Sequence, residues 1–150
     1  MAIEQSVYLI KPEGRGLAVE IKEMVARSGL VIVAAKTVVL TEDILQQMYP
    51  NLSDYLWLIT CGHLLNQSCE MVLVEGEGAV QRLLELTGTD VSPNLCAPGT
   101  IRRFCRGDRL SGMPSIYPCR GEQEVYYFNF LHRPKNQEAA WREVAIFERG

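Results

Sequence analysis

Apolar and polar residues follow two different periods along this chain. Short runs rich in β-branched and aromatic residues predict buried strands. These runs cover residues 6–10, 30–40, 70–74 and 125–131. Between them, apolar residues recur every three or four positions, which is the period of an amphipathic helix. The pattern predicts the order β-α-β-α-α-β-α-β-α, with a long irregular segment, residues 89–124, before the last strand.

Polar and small residues mark the ends of these predicted helices. Thr41 and Ser53 each precede an acidic residue and are typical N-cap residues. Asn136 is a third candidate N-cap, and Gly29 suits the position just after a helix end. Two βαβ-like halves that share one sheet, with helices on a face, describe an α+β sandwich of the ferredoxin-like type. We therefore expect a four-stranded antiparallel sheet covered by helices.

Length and charge narrow the class of protein. A chain of 150 residues is expected to form a single domain, residues 1–150, with a sizeable core. Its net charge of −3 gives no general attraction to nucleic acid or to an anionic membrane, so no specific nucleic-acid partner is expected. No apolar run approaches the ~18 residues of a membrane span, and the first residues contain no signal core. We expect a cytoplasmic protein with no membrane partner.

The five cysteines give no sign of a cross-linked or metal-bound framework. Their number is odd, and no CxxC or cysteine–histidine ligand spacing occurs. A disulfide framework or a structural zinc site is therefore not expected, and the bland interpretation is free thiols in a reducing compartment. His63 lies in a predicted helix with no second ligand at metal spacing, so we interpret it as a packed helix residue.

Two charged positions at strand ends are candidates for chemistry. His132 ends the last predicted strand, and Glu143 follows eleven positions later in the last predicted helix. A histidine backed by a carboxylate is a plausible nucleophile or proton carrier. Lys11 lies at the tip of the first strand, where a ligand could bind, although a solvated lysine is the plainer interpretation.

The irregular segment carries a cluster of arginines. Four of them, Arg102, Arg103, Arg106 and Arg109, lie within eight positions. Guanidinium groups match the geometry of phosphate oxygens, so this cluster suits a phosphorylated ligand. A solvated loop face is the alternative interpretation.

Four segments, in order along nearly the whole chain, resemble nucleoside diphosphate kinases. The most specific is Ala97-Pro98-Gly99-Thr100-Ile101-Arg102, which is similar to the loop motif of that family. The others are residues 8–13, residues 74–80, and residues 129–132 together with residues 138–139 and 142–144. The resemblance implies transfer of a γ-phosphoryl group from a nucleoside triphosphate to a nucleoside diphosphate. It also implies a ping-pong mechanism through a phosphohistidine.

The resemblance assigns catalytic roles to named positions. His132 would be the nucleophile, and Glu143 would hold the ring nitrogen that does not attack. Lys11 would contact the transferring phosphoryl group and the sugar, and Tyr49 would lie close to the histidine. Because charge spreads over phosphoryl oxygens in the transition state, positioning and cationic donors would do most of the catalytic work.

The resemblance also implies a nucleotide site. Arg102 would bind the distal phosphates, with Thr89 as a weaker match, and Asn129 would bond to the sugar 3′-hydroxyl. Leu56 occupies the position where an aromatic residue usually stacks on the base. Magnesium would enter bound to the nucleotide, and the chain would hold no metal of its own. The family also implies a homo-oligomer.

Besides Leu56, three features depart from the family pattern. Arg133-Pro134-Lys135 replaces a Gly-Ser-Asp run after the histidine, and its two cations either bind phosphate or cover the pocket. Leu84 stands where a phosphate-binding arginine is expected. Residues 108–124 form an extra segment in a region that makes subunit contacts in relatives. These departures motivate two alternatives: a kinase-like domain that binds nucleotide or a partner with little turnover, and a structural interaction domain in which His132 has no chemical role.

Overall fold

A computed structural model describes residues 3–106, 116–118 and 125–149 of the chain. The strands are β1 Ile3–Ile10, β2 Val31–Val39, β3 Ser68–Glu77, β4 Ile116–Pro118, β5 Val125–Tyr127 and β6 Leu131–His132. The α-helices are α1 Ala18–Arg27, α2 Glu42–Met48, α3 Asp54–Leu64, α4 Ala79–Thr87, α5 Ile101–Cys105 and α6 Gln137–Arg149. Short 3₁₀ turns cover Pro12–Leu17 and Pro93–Leu95.

The main sheet has four antiparallel strands in the order β2-β3-β1-β6. This is the ferredoxin-like sheet that the sequence predicts. The central strands β1 and β3 pair along their whole length, from Ile3 opposite Glu77 to Ile10 opposite Glu70. On the other side of β1, Leu9 pairs with His132. Sheet pairing therefore brings the histidine beside the strand that leads into Lys11.

The two faces of the sheet pack against different helices. Because side chains alternate along a strand, Tyr8 and Ile10 face one core while Val7 and Leu9 face the other. Buried residues of α1, α4 and α5 complete the first core. Residues of α2, the end of α3 and α6 complete the second. Helices thus cover both faces, whereas the sequence pattern indicated helices on a single face.

The predicted helix ends are confirmed by side-chain caps. The hydroxyl oxygen of Thr41 accepts from the Ile44 amide, and that of Ser53 accepts from the Leu56 amide. Asn136 caps α6 by accepting from the Ala139 amide. Gly29 follows α1 with φ of +95°, a conformation that favours glycine. Within the described part of the chain, no helix is both long enough and apolar enough to cross a membrane.

The prediction of one long strand at residues 125–131 is wrong. β5 pairs with β4 in a separate two-stranded sheet, and β6 contributes only two residues to the main sheet. Between them, Phe130 has φ of +74°, which no continuous strand allows. Its amide donates to the Glu13 carboxylate and its carbonyl accepts from the Lys11 amide. Tertiary hydrogen bonds therefore replace the strand ladder at this point.

In its described part, the segment predicted as irregular contains the α-helix α5. Thr100 caps α5 by accepting from the Arg103 amide, so Arg102 lies on a helix rather than on a loop. The five residues of α5 are too few to reveal a helical period. The extra segment at residues 108–124 lies outside the described residues except for β4, and Arg109 lies outside them too.

Candidate active site

A cavity of about 530 Å³ opens where β6, α5 and α6 meet the end of β1. Its lining brings together seven of the eight predicted site residues: Lys11, Tyr49, Thr89, Arg102, Asn129, His132 and Glu143. The eighth, Leu56, is partly buried on α3 and is not part of this lining. Among the described residues, five cationic side chains and a single carboxylate line the cavity. Its walls are thus suited to an anion.

His132 is fixed by a buried hydrogen bond. Its ring Nε2 lies 2.8 Å from Glu143 Oε1, and the two residues are 8% and 1% exposed. An ionised carboxylate only accepts, so this bond holds a proton on Nε2. In the neutral ring, the lone pair then lies on Nδ1. The Tyr49 ring packs 4.8 Å from the imidazole, centroid to centroid, at an interplanar angle of 60°.

The side chains of His132 and Glu143 can meet across eleven positions of sequence because β6 and α6 are adjacent elements. The backbone of His132 is held in the sheet beside Leu9. The buried face of α6 includes Ala139, Ala140 and Glu143, and it packs toward β1. A carboxylate on that face meets the histidine without leaving the core, which accounts for its near-complete burial.

Lys11 is a buried ammonium with one direct acceptor at short distance. Its Nζ donates to Asn129 Oδ1 at 2.7 Å and lies 5.8 Å from the centre of the Tyr49 ring. Burial lowers the pKa of Lys11 to about 8, and the charges of Arg102 and Arg133 act in the same direction. The Glu13 carboxylate opposes them. The lysine is therefore charged in neutral solution but loses its proton well below the usual range.

Arg102 is held by the main chain. Its guanidinium makes four contacts with carbonyl oxygens: Nε with Asn129 at 3.2 Å, Nη1 with Gly88 at 3.4 Å and Asp90 at 3.1 Å, and Nη2 with Leu131 at 2.9 Å. The side chain is buried, with 4% exposure. These bonds tie the turn after α4 to the segment that carries His132.

The turn after α4 forms one wall of the cavity. Gly88 has φ of +112°, and a Cβ atom there would lie 2.6 Å from Cys96 Sγ. Thr89 is exposed on the cavity rim. Asn129 reaches this wall by donating from Nδ2 to the Val91 carbonyl at 3.2 Å. The asparagine therefore links the lysine to the turn through its two amide atoms.

Glu13 is a buried residue that the sequence analysis did not single out. Its Oε2 accepts from the Phe130 amide at 3.2 Å, and its Oε1 lies 2.7 Å from His63 Nε2. Burial alone would raise the pKa of Glu13, but the His63 hydrogen bond and the Lys11 charge hold it below its usual value. His63 packs edge-on against Phe128, at 4.8 Å between centroids. A carboxylate two positions after a strand-end lysine was the available signal.

The residues that depart from the family pattern also reach the cavity. Leu84 lines it as a partly buried apolar side chain. Arg133 lines it too, and its Nη2 donates to the Gly88 carbonyl at 3.0 Å. Pro134 is buried, whereas Lys135 is exposed. The residues after His132 therefore form part of the cavity wall.

Comparison with known proteins shows the family to which the chain is similar. The family model described as "Nucleoside diphosphate kinase" matches residues 4–149. A nucleoside diphosphate kinase of Moorella thermoacetica is 36% identical over 152 residues, covering 98% of this chain and 95% of the relative. That of Borreliella burgdorferi is 26% identical over 155 residues, covering 98% and 88%.

Solved structures are also similar to this chain. A transition-state mimic of the nucleoside diphosphate kinase of Borrelia burgdorferi, with bound vanadate and ADP, has a TM-score of 0.76 and 25% identity, covering 97% of this chain and 86% of that one. A Halobacterium salinarum enzyme in complex with CDP shares the fold, with a TM-score of 0.74, 23% identity, and 97% and 88% coverage. The chain belongs to the nucleoside diphosphate kinase family. It is a phosphotransferase that acts on nucleotides.

Proposed function

We propose that this protein moves the γ-phosphoryl group between nucleotides in two half-reactions, with His132 as the intermediate carrier. The observation that carries the proposal is the buried hydrogen bond between His132 Nε2 and Glu143, 2.8 Å long. It fixes the tautomer in which Nδ1 has the free lone pair. It also orients that nitrogen within a cavity whose charged side chains, among the described residues, are mainly cations.

Each half-reaction exchanges one bond at phosphorus for another. The Nδ1 lone pair attacks the γ-phosphorus while the bond to the bridging oxygen breaks, and the departing diphosphate takes that electron pair. The phosphorylated ring is then cationic, with its Nε2 proton still donated to Glu143. In the second half-reaction, a terminal oxygen of another nucleoside diphosphate attacks the phosphorus, and the P–N electron pair returns to Nδ1.

The cations of the cavity supply electrostatic stabilisation. Lys11 and Arg102 are held in fixed positions by Asn129 and by main-chain carbonyls. Donors that are already oriented need little rearrangement when charge builds on the phosphoryl oxygens. We assign Lys11 to the transferring phosphoryl group and the sugar, and Arg102, with Thr89, to the distal phosphates.

We propose that magnesium enters the cavity bound to the nucleotide. The one carboxylate on the described cavity lining is bound to His132. Within the described residues, no cluster of three acidic, histidine or cysteine side chains forms a metal site. Phosphate oxygens would therefore supply the ligands, and the ion would neutralise part of their charge.

We also propose contacts between the protein and the sugar and base of the nucleotide. Asn129 lies beside Lys11, so its amide is assigned to the sugar 3′-hydroxyl. Leu56 lies outside the cavity lining. A base that contacts it must extend beyond the lining toward α3.

We infer that the protein forms a homo-oligomer and that it is located in the cytoplasm. Three exposed valines, Val31, Val33 and Val39, lie on β2, which is an edge of the main sheet in the described structure. Exposed apolar side chains on an edge strand favour association with another copy. The described cysteines, Cys61, Cys69, Cys96 and Cys105, carry free thiols, as is usual in a reducing compartment.

A phosphorylation experiment tests the function directly. The protein is incubated with magnesium and γ-labelled ATP, and the label is tested for acid lability, base stability and transfer to added GDP. We expect the wild type to carry such a label and His132→Ala to carry none. The chain has two histidines, so His63→Gln is the matched control and keeps the label.

The other outcomes point to the other functions. Nucleotide binding without label on His132 would indicate a kinase-like domain that binds nucleotide with little or no turnover. No nucleotide binding at all would indicate a structural domain.

A further inference from the structure

We propose that Arg133 binds the terminal phosphates of the nucleotide in the cavity beside His132. The inference rests on the proposed function and adds a substrate contact to it. It concerns a residue that follows His132 directly in the chain and lines the same cavity.

Arg102 is buried and Arg133 is half-buried, and their guanidinium groups differ in how many N–H donors remain for a ligand. A guanidinium carries five N–H groups. Arg102 directs four contacts at carbonyl oxygens of the described chain, so one N–H group remains for the distal phosphates assigned to it. Within the described part of the chain, Arg133 makes one hydrogen bond, from Nη2 to the Gly88 carbonyl. Its Nε is buried and has no acceptor among the described residues.

A buried donor without an acceptor is unusual in a folded protein. In this case the donor belongs to a cation that lines an open cavity. A phosphate oxygen would satisfy Nε and a free Nη hydrogen together, because the guanidinium fork matches phosphate geometry. The bonding pattern of Arg133 is therefore that of a ligand-binding side chain.

The two arginines also lie close enough to repel each other. Both donate to the same oxygen, the carbonyl of Gly88. Burial and then the charge of Arg133 lower the pKa of Arg102 to about 10, and both arginines help to lower the pKa of Lys11. An anion between these cations would relieve the repulsion. On the described lining the only carboxylate, Glu143, is bound to His132.

The neighbouring residues Leu84 and Lys135 are less suited than Arg133 to bind a phosphate. Leu84 lies one helical turn before Gly88, whose amide donates to the Leu84 carbonyl. Its side chain is apolar and lines the same cavity, so it offers phosphate no hydrogen bond. Lys135 lines the cavity as well but is exposed to solvent, which weakens its field. Arg133 is thus the half-buried cation at this wall with N–H donors available for a phosphate.

Direct binding measurements test the assignment without depending on turnover. The affinities of ADP and AMP are measured by titration calorimetry for the wild type, Arg133→Gln, Lys135→Gln and Arg27→Gln. Arg27 is exposed at the end of α1, so its variant controls for loss of one charge. We expect Arg133→Gln to weaken ADP binding about tenfold or more, as for lost charge-assisted bonds. AMP binding should change much less, and the Arg27→Gln variant should match the wild type.

A double variant tests whether a second guanidinium restores the affinity for ADP. In Leu84→Arg/Arg133→Gln, a guanidinium enters from the last turn of α4 toward the same carbonyl. Recovery of ADP affinity would support a guanidinium requirement at this wall. Urea denaturation of each variant checks that the fold is intact.

Different results would contradict the role of Arg133, the proposed function, or both. ADP affinity in Arg133→Gln within twofold of the wild type would overturn the assignment. Equal losses in Arg133→Gln and Lys135→Gln would also overturn it, since general charge would then explain binding. A wild type that binds ADP but never labels His132 contradicts the proposed function alone, and the test of Arg133 still stands. A wild type that binds no ADP overturns both.

Discussion

At the scale of single residues, the active-site side chains are held by partners that leave little freedom of rotation. His132 is fixed by Glu143, and Lys11 by Asn129. Arg102 is fixed by carbonyl oxygens on both sides of the cavity. Orientation before the substrate arrives is what phosphoryl transfer requires, because the protein contributes mainly position and charge.

The low pKa of Lys11 predicts an alkaline limit to activity. Burial, reinforced by Arg102 and Arg133 and opposed by Glu13, brings this pKa to about 8 in the free protein. The ammonium is present below that value and is lost as the pH rises through it. We expect kcat/KM to fall through about pH 8, and kcat to fall only at higher pH, because bound phosphates favour the charged lysine.

Lys11→Arg provides the control for this pH dependence. Arginine stays charged through the alkaline range, so the decrease in kcat/KM near pH 8 should disappear even if the rate is lower. Rate profiles against pH for both proteins give the answer. An unchanged decrease in the variant would assign it to another group.

The residue types of the site and the bond between His132 and Glu143 could be predicted from the sequence, but the other bonds could not. Seven of the eight predicted residues line one cavity. The roles of Glu13 and Arg133 depend on partners 117 and 45 positions away in the chain. No local pattern contains such pairs.

At the scale of elements, the turn at Phe130 decides where the candidate catalytic residues lie. Its positive φ ends β5 and begins β6, with Asn129 on one side and Leu131-His132 on the other. Glu13 holds the amide of Phe130, while Lys11 donates from its own amide to the carbonyl. The 3₁₀ turn after β1 therefore supports the backbone that carries His132.

Removal of the Glu13 carboxylate should loosen this turn. Glu13→Ala leaves the buried Phe130 amide without its acceptor and His63 without its carboxylate. We expect the free energy of unfolding to fall by about 1–3 kcal/mol, the usual cost of an unsatisfied buried group. Urea denaturation measures this change. Glu85 is exposed and bonds only to Gln81 among the described residues, so Glu85→Ala should stay within about 0.5 kcal/mol of the wild type.

A loss in Glu13→Ala no larger than in Glu85→Ala would contradict this account of the turn. It would mean that Phe130 keeps its conformation through packing alone. The side chain of Phe130 is fully buried, so packing is the competing cause.

At the scale of the whole molecule, the sheet has its functional end and its exposed edge on different strands. The cavity lies at β6 and the end of β1, on one side of the sheet order β2-β3-β1-β6. The exposed valines lie on β2, at the other side. Assembly through β2 would leave the described cavity residues uncovered.

Substitution on this edge tests the proposed homo-oligomer. Val33 is 48% exposed, and Val33→Lys places a charge on the edge strand, which opposes pairing with another copy. We expect the sedimentation coefficient to fall toward that of the monomer while ADP still binds. Leu58, on α3, is 70% exposed, and Leu58→Lys is the matched control with no effect on assembly. Identical sedimentation of the wild type and Val33→Lys would exclude β2 as the contact.

The sequence by itself determined most of the strand and helix pattern, the caps at Thr41, Ser53 and Asn136, and, through its resemblance to the family, the residues expected in phosphoryl transfer. These depend on short-range periodicity, on local side-chain bonds and on the chemistry of residue types. The tertiary structure decided the break at Phe130, the burial of Glu13 and the donors left on Arg133. These depend on hydrogen bonds between distant segments, whose partners are chosen by packing of the whole chain.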